Sequence, residues 1–183
     1  MKKTLLFAIA ALLSISVFSQ RYFTRSGEIV FYSSTPVEDI EAINKTVASV
    51  FDAKSGKIEF AVTLKSFVFE KALMQEHFNE NYVESDTYPK ATLKGDIQNI
   101  SELNFAKDGN YPVKIAGKLT MHGVTKDVAA DGNFAVKGNT VLGTAKFMIN
   151  PEDYNIKIPS VVRNKIAEEI EVTVTMNYEL MKK

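Results

Sequence analysis

The sequence predicts an all-β protein, a closed antiparallel barrel or a sandwich of about seven to nine strands with a single helix. Three observations carry that prediction. Tyr111, Val113, Ile115, Gly117, Leu119 and Met121 alternate strictly with Pro112, Lys114, Ala116, Lys118 and Thr120. Near the C-terminus Ile170, Val172, Val174, Met176, Tyr178 and Leu180 alternate with Glu171, Thr173, Thr175, Asn177 and Glu179. Turn-forming clusters separate runs of this kind along the chain, and one stretch alone has helical spacing. Alternation with period two means a strand with one buried face and one wet face.

The N-terminus has the pattern of a secretory signal. Lys2 and Lys3 precede an apolar run over residues 5–17, too short for a comfortable membrane span, and Val17-Phe18-Ser19 offers small residues for cleavage before Gln20. Cleavage there leaves about 164 of the 183 residues as one domain, periplasmic or secreted. No cysteine follows the apolar run, so a lipid-modified N-terminus is not expected.

The first alternating strand begins at Ile29 and Phe31 and ends near Ser34. Thr35-Pro36-Val37-Glu38 has the form of a capping box with proline at the first helical position. A single helical turn is therefore expected there, followed by strand through Val47, Ser49 and Phe51. A turn at residues 52–56 leads into Ile58, Phe60, Val62 and Leu64, a hairpin pattern. Phe67 and Phe69 then take the opposite parity, which predicts a bulge or a strand leaving the sheet.

Residues 70–82 carry the one amphipathic helix. Met74, Phe78 and Tyr82 form its apolar stripe with Leu73 beside it, while Gln75, Glu76, Asn79 and Glu80 are expected to face water. Strands resume at residues 91–100, with Ala91, Leu93, Gly95 and Ile97 on one face, and at 111–121. A Gly123-Val124-Thr125-Lys126 corner follows. Residues 128–136 and 140–149 form a further hairpin about Lys137-Gly138-Asn139. Residues 150–167 are irregular, interrupted by Pro151 and Pro159, and the C-terminal strand closes the chain. Gly95, Gly117 and Gly143 fall on inward parity, where they either relieve strain at barrel corners or leave space inside.

Composition narrows the function. There is no cysteine, which removes disulfides and thiolate chemistry, so stability rests on the core. Losing Lys2 and Lys3 from 22 basic residues leaves 20 against 22 acidic ones, about −2 net and interspersed. Nucleic acid and anionic membranes gain no electrostatic support from that distribution. Lys114, Lys118, Glu171 and Glu179 on outward parity speak against an outer-membrane barrel. The two histidines, His77 and His122, do not make a metal set, and no nucleophile elbow or phosphate loop occurs. No catalytic residue, metal or cofactor is expected, and the chain is not expected to be an enzyme. His77 is expected at the edge of the apolar stripe, and His122 bonding backbone at the corner.

Gly117-Lys118-Leu119-Thr120-Met121-His122-Gly123-Val124-Thr125 resembles the signature of the YceI family, a long strand ending in Gly-x-Leu-Thr-x-His-Gly-Val-Thr. Leu73-Met74 with His77-Phe78, then Tyr88-Pro89-Lys90-Ala91-Thr92-Leu93, is similar to the family's helix and the Tyr-Pro strand after it. Asp153-Tyr154-Asn155-Ile156 is similar to its Asp-Phe-Gly-Ile region. The likeness covers roughly residues 58–181. The chain departs from the pattern at Arg25-Ser26-Gly27, where the family often has Asp-x-x-His-Ser, and at Pro151-Glu152 in place of Asp-Arg. The resemblance implies an eight-stranded, lipocalin-like antiparallel barrel that holds a polyisoprenoid or similar amphiphile. Family members are typically small exported proteins, often homodimers.

The function expected is therefore binding, and carrying or storing, a long-chain isoprenoid or lipid-like molecule inside the barrel. The expected lining is Phe60, Val62, Leu93, Val113, Ile115, Leu119, Met121, Phe147, Val174 and Met176, with Leu73, Met74 and Phe78 of the helix plugging one end. The alternative is a structural or interaction module whose barrel is filled by its own side chains.

Overall fold

A computed structural model describes residues 20–182, and the expected signal segment and its cleavage site at Ser19 lie outside the described residues. Eight strands close into an antiparallel barrel: β1 (Arg21–Ser34), β2 (Asp39–Asp52), β3 (Lys57–Thr63), β5 (Lys90–Ile97), β6 (Gly109–Met121), β7 (Val124–Lys137), β8 (Thr140–Ile149) and β9 (Ile170–Leu180). Round the barrel the order is β1-β9-β8-β7-β6-β5-β3-β2, and pairing of β1 with β2 closes it. A two-residue strand, β4 (Val68–Phe69), adds to β2 opposite Ala42 and Ile43.

β1 starts eight residues before the sequence pattern shows a strand. Its pairing with β2 slips between Thr24 and Gly27 and again between Gly27 and Ile29. The first slip changes the inward parity, so Tyr22 and Thr24 are buried on even positions and Gly27 and Ile29 on odd ones. β2 compensates at Asn44, fully buried in the wall. Its Nδ2 donates to the Thr63 carbonyl at 2.9 Å, and its Oδ1 accepts from the Thr46 amide and hydroxyl at 2.9 and 3.0 Å.

The helical turn expected after Ser34 does not form. Thr35 Oγ1 does accept from the Glu38 amide at 3.1 Å, the bond a helix cap would make. The Thr35 amide and hydroxyl, however, donate back to the Glu38 carbonyl, which closes a hairpin. Strand β2 then runs unbroken from Asp39. Phe67 leaves the barrel wall after a 3-10 turn, Leu64–Ser66, and the chain turns back against β2 as β4.

The helix spans Ala72–His77 (α1) and continues as one π-wound turn over Phe78–Tyr82, where the Val83 amide donates to the Phe78 carbonyl. Gln75 and Asn79, expected to face water, do not lie on the fully wet face. Both are half-buried, Gln75 accepting from the Phe69 amide and Asn79 donating to the Gln75 carbonyl. At the β6–β7 corner the turn is His122-Gly123 alone, both with positive φ, and β7 begins at once with Val124 opposite Met121.

The glycines leave no space inside. Gly95 and Gly117 face each other across β5 and β6, and a Cβ on either would meet a carbonyl oxygen at 2.6 Å. They allow the two strands to pinch together, the strain-relieving role at a barrel bend. Gly143 is covered by the rings of Phe134 and Tyr178.

Candidate functional site: a cavity at one end of the barrel

Inward side chains fill the two ends of the barrel differently. At the end holding the β2–β3 and β7–β8 turns, aromatic rings close the interior. Phe51 stacks on Tyr22 at 4.9 Å, meets Tyr178 edge-on at 4.9 Å, and lies 5.0 Å from Phe134. Phe105, from the β5–β6 loop, covers Tyr22 and Phe51 at 5.5 and 5.6 Å. Val113, Val141 and Met176 complete this packed end, each fully buried.

One hydrogen bond crosses the packed interior. The Ser49 hydroxyl lies 2.8 Å from the Glu59 carbonyl, to which it donates, and 2.8 Å from the Tyr178 hydroxyl. With its own proton committed, Ser49 accepts from Tyr178, so both hydroxyls are satisfied. Burial pushes the Tyr178 phenol well above the ordinary tyrosine range, and the bond to Ser49 offsets part of that.

The opposite end is hollow. A cavity of about 470 Å³ lies beneath α1, the β1–β2 hairpin and the 150–169 connection. Its wall comes from Ile29 and Phe31 of β1, Val62 of β3, Ala91 of β5, Leu119 and Met121 of β6, Phe147 and Ile149 of β8, and Val172 of β9. The helix lies across this end. Phe78 packs within 5.1 to 5.7 Å of Phe31, Phe67 and Phe69, while Met74 and the largely exposed Leu73 reach the rim. From the β8–β9 connection Ile156, Ile158 and Val162 cover the remainder.

Seven of the thirteen expected lining residues meet at this cavity: Val62, Leu73, Met74, Phe78, Leu119, Met121 and Phe147. The other six, Phe60, Leu93, Val113, Ile115, Val174 and Met176, have inward parity but sit lower in the barrel, outside the cavity wall. Val113 and Met176 belong to the packed end, and Val174 is buried between the two ends. Alternation places a residue on the inner face without giving its height along the axis, and register supplies the height. The side-chain-filled barrel considered as an alternative describes one end of the molecule. Phe31, on inward parity, also lines the cavity, and the residues missed include Phe67, Phe69 and Ile156. For Phe67 and Phe69 the change of parity was the available signal, since a segment leaving the wall can fold its rings over the opening.

Charge gathers at one side of the mouth. Lys71 donates to Glu38 Oε1 at 3.0 Å, and Lys165 lies 3.9 Å from Glu38 Oε2. The hydrogen bond from Lys71 holds the Glu38 carboxyl below the ordinary glutamate range, with the charges of Lys71 and Lys165 adding to it against partial desolvation. His77 also borders the rim. Nearby, Arg163 is held by Glu152 and Glu168, an arrangement that favours its charged form. Among the described residues no group of three or more His, Asp or Glu side chains is placed to hold a metal ion, and no helix is long and apolar enough to cross a membrane.

The signature segment builds a clasp beside the cavity. His122 Nδ1 faces the Tyr154 carbonyl at 3.0 Å, and Nε2 faces Glu84 Oε2 at 2.7 Å. The Tyr88 ring meets the imidazole edge-on at 4.6 Å. Gly123, at φ +74°, lies under the same ring, which a Cβ would approach to 3.0 Å. The β6–β7 corner, the segment after the helix and the 150–154 turn are thereby fixed to one another. His122 thus holds loops together, with both nitrogens occupied.

The profile of the YceI-like domain matches residues 21–178. Among solved structures, a polyisoprenoid binding domain from Saccharophagus degradans superposes with a TM-score of 0.77 at 15% identity, covering 90% of this chain and all of that one. BcnA of Burkholderia cenocepacia superposes with a TM-score of 0.69 at 19% identity, over 82% of this chain and 95% of its own. The YCEI protein of Campylobacter jejuni gives 0.55 at 16% identity over both full chains. At such identities these likenesses establish the shared fold. No curated protein sequence matches the chain.

Proposed function

The chain belongs to the YceI-like family, and on that premise we propose that it binds an apolar or amphiphilic molecule, such as a polyisoprenoid or another lipid, and carries or stores it. The observation that carries this reading is the cavity: about 470 Å³, walled by Phe, Leu, Ile, Val and Met side chains, at the one end of the barrel that the aromatic rings do not fill. Pockets of roughly 300–1,000 Å³ with apolar walls and few polar groups are typical of small-molecule sites. A guest burying about 300 Å² of apolar surface gains roughly 7 kcal/mol before its ordering costs. That is enough for useful affinity with few polar contacts. The polyisoprenoid binding domain of the same fold supports the chemical class.

The binding role is preferred to an enzymatic one because Glu38, Lys71 and Lys165 at the mouth are paired with one another and the interior wall is mostly hydrocarbon. Export to the periplasm or beyond, with loss of residues 1–19, is part of the same proposal and rests on the basic start and apolar run. Intact mass of the mature protein expressed in a Gram-negative host tests the cleavage.

Native mass spectrometry of the purified protein, followed by organic extraction, tests the binding. A co-purifying amphiphile at about one per barrel is expected. Repeated recovery of empty protein that also fails to take up a fluorescent lipid would remove the proposal.

A further inference from the structure

We infer that the preferred guest is a single chain of about twenty carbons with an anionic head, its length limited by the aromatic end of the barrel and its charge received by Lys71 and Lys165. The inference rests on the binding role proposed above and narrows it to one class of ligand.

The length follows from volume and from what lies at the cavity floor. A cavity of about 150 Å³ accommodates benzene, roughly 25 Å³ per carbon, so one of this size takes on the order of twenty carbons. The cavity measures about 470 Å³. Below it the chain meets Phe51, Tyr22, Phe134 and Tyr178, whose rings touch one another across the interior. Passing further would separate those rings and break the Tyr178–Ser49 hydrogen bond, leaving two buried hydroxyls without their mutual partner. A chain of eight isoprene units has about twice the carbon the cavity holds by that measure.

The head-group preference follows from the balance of charge at the mouth. The ionisable side chains that border the cavity are Glu38, Lys71, His77, Tyr82 and Lys165, and Glu38 is the single carboxylic acid among these described residues. It is shared between two ammonium groups, at 3.0 Å and 3.9 Å. Two cations on one carboxylate leave a net positive charge even with His77 neutral. Both lysine side chains are about half exposed or more, 61% and 47%, so each can swing toward a head group without losing its hydration first. On the same connection as Lys165, Glu152 and Glu168 pair with Arg163 and do not border the cavity. A carboxylate or phosphate at the end of an inserted chain would therefore add a second anion to the pair of lysines.

The test is displacement of N-phenyl-1-naphthylamine from the full mature chain at neutral pH and low salt. The competitors are dodecanoate, hexadecanoate, hexadecan-1-ol, hexadecyl phosphate and octaprenol. Hexadecanoate and hexadecyl phosphate should compete about five- to tenfold better than hexadecan-1-ol, the gain expected of a charge-assisted contact at a wet mouth. Dodecanoate and octaprenol should both compete less well than hexadecanoate. The double variant Lys71→Gln, Lys165→Gln should lower the two acids to the level of the alcohol and leave the alcohol unchanged. Glu38→Gln should strengthen the acids alone.

Equal displacement by acid and alcohol in the unaltered protein would overturn the head-group assignment, and octaprenol competing as well as hexadecan-1-ol would overturn the length limit. In either case the binding role survives. A protein that takes up neither the probe nor any competitor overturns both.

Discussion

Replacing Phe51 by alanine probes the packed end of the barrel where its contacts are densest. The ring is fully buried and touches four others, Tyr22, Phe105, Phe134 and Tyr178, at centroid distances of 4.9 to 5.6 Å. A buried Phe→Ala change costs about 3–5 kcal/mol, and several aromatic neighbours with no room to collapse place this one near the upper end. For a domain of this size each kcal/mol moves the midpoint by roughly 2–4 °C, so the Phe51→Ala midpoint should fall by about 10–20 °C. Phe147→Ala supplies the contrast. That ring borders the cavity and is only partly buried, so the same truncation should cost about 1–2 kcal/mol, because the part of its surface that faces the cavity has no packed neighbour to lose. Urea unfolding followed by far-ultraviolet circular dichroism, with the two variants side by side, gives both numbers. Equal costs, or a Phe51→Ala cost near 1 kcal/mol, would refute the division of the barrel into a packed end and a hollow one.

Three further outcomes are expected. Asn44→Ala should destabilise the protein by about 2–3 kcal/mol in the same assay, because the Thr63 carbonyl and the Thr46 amide lose a partner inside the wall. Gly123→Ala should cost at least about 1 kcal/mol, since the residue sits at φ +74° and its new methyl would press on the Tyr88 ring; the shift of the His122 ring protons would report the disturbed clasp. In a carbon-detected NMR titration Glu38 should have its midpoint below the ordinary value of 4.5, and Lys71→Gln should raise it. The sign follows from linkage. A depressed carboxyl contributes stability above its unfolded value, and that contribution is lost as pH falls through the lower folded one.

The sequence exposed the fold wherever a strand kept a strict alternation, as in β6 and β9. It hid the first half of β1 and the start of β2, because paired bulges shift the inward parity and bring Thr24 and Asn44, both polar, into the wall. A short motif misled at Thr35, whose side chain makes the same bond to an amide three residues on whether a helix or a tight hairpin follows. The amphipathic helix was visible, while its π turn was not, since nothing in the spacing of Phe78 and Tyr82 distinguishes the two windings.

The candidate site was half legible. Period two identifies the inner face, so residues such as Val62, Leu119 and Met121 were found along with Val113 and Met176, which share their parity and lie at the other end. The cavity is made as much by segments outside the regular pattern, Phe67, Phe69 and Ile156 among them, as by the strands. Lys71, Glu38 and Lys165 come from three separate connections, and no local motif could have joined them.

On the proposed binding role, a guest enters one end of the barrel and stops at the aromatic rings. The methionines report on it directly. Met74 and Met121 border the cavity, Met176 lies in the packed end, and Met148 and Met181 are exposed on the outside. In a spectrum of protein labelled with carbon-13 at the methionine methyls, saturating hexadecanoate should shift Met74 and Met121 and leave Met148, Met176 and Met181 in place. A shift at Met176 as large as that at Met121, or no shift at either cavity residue, would contradict the account.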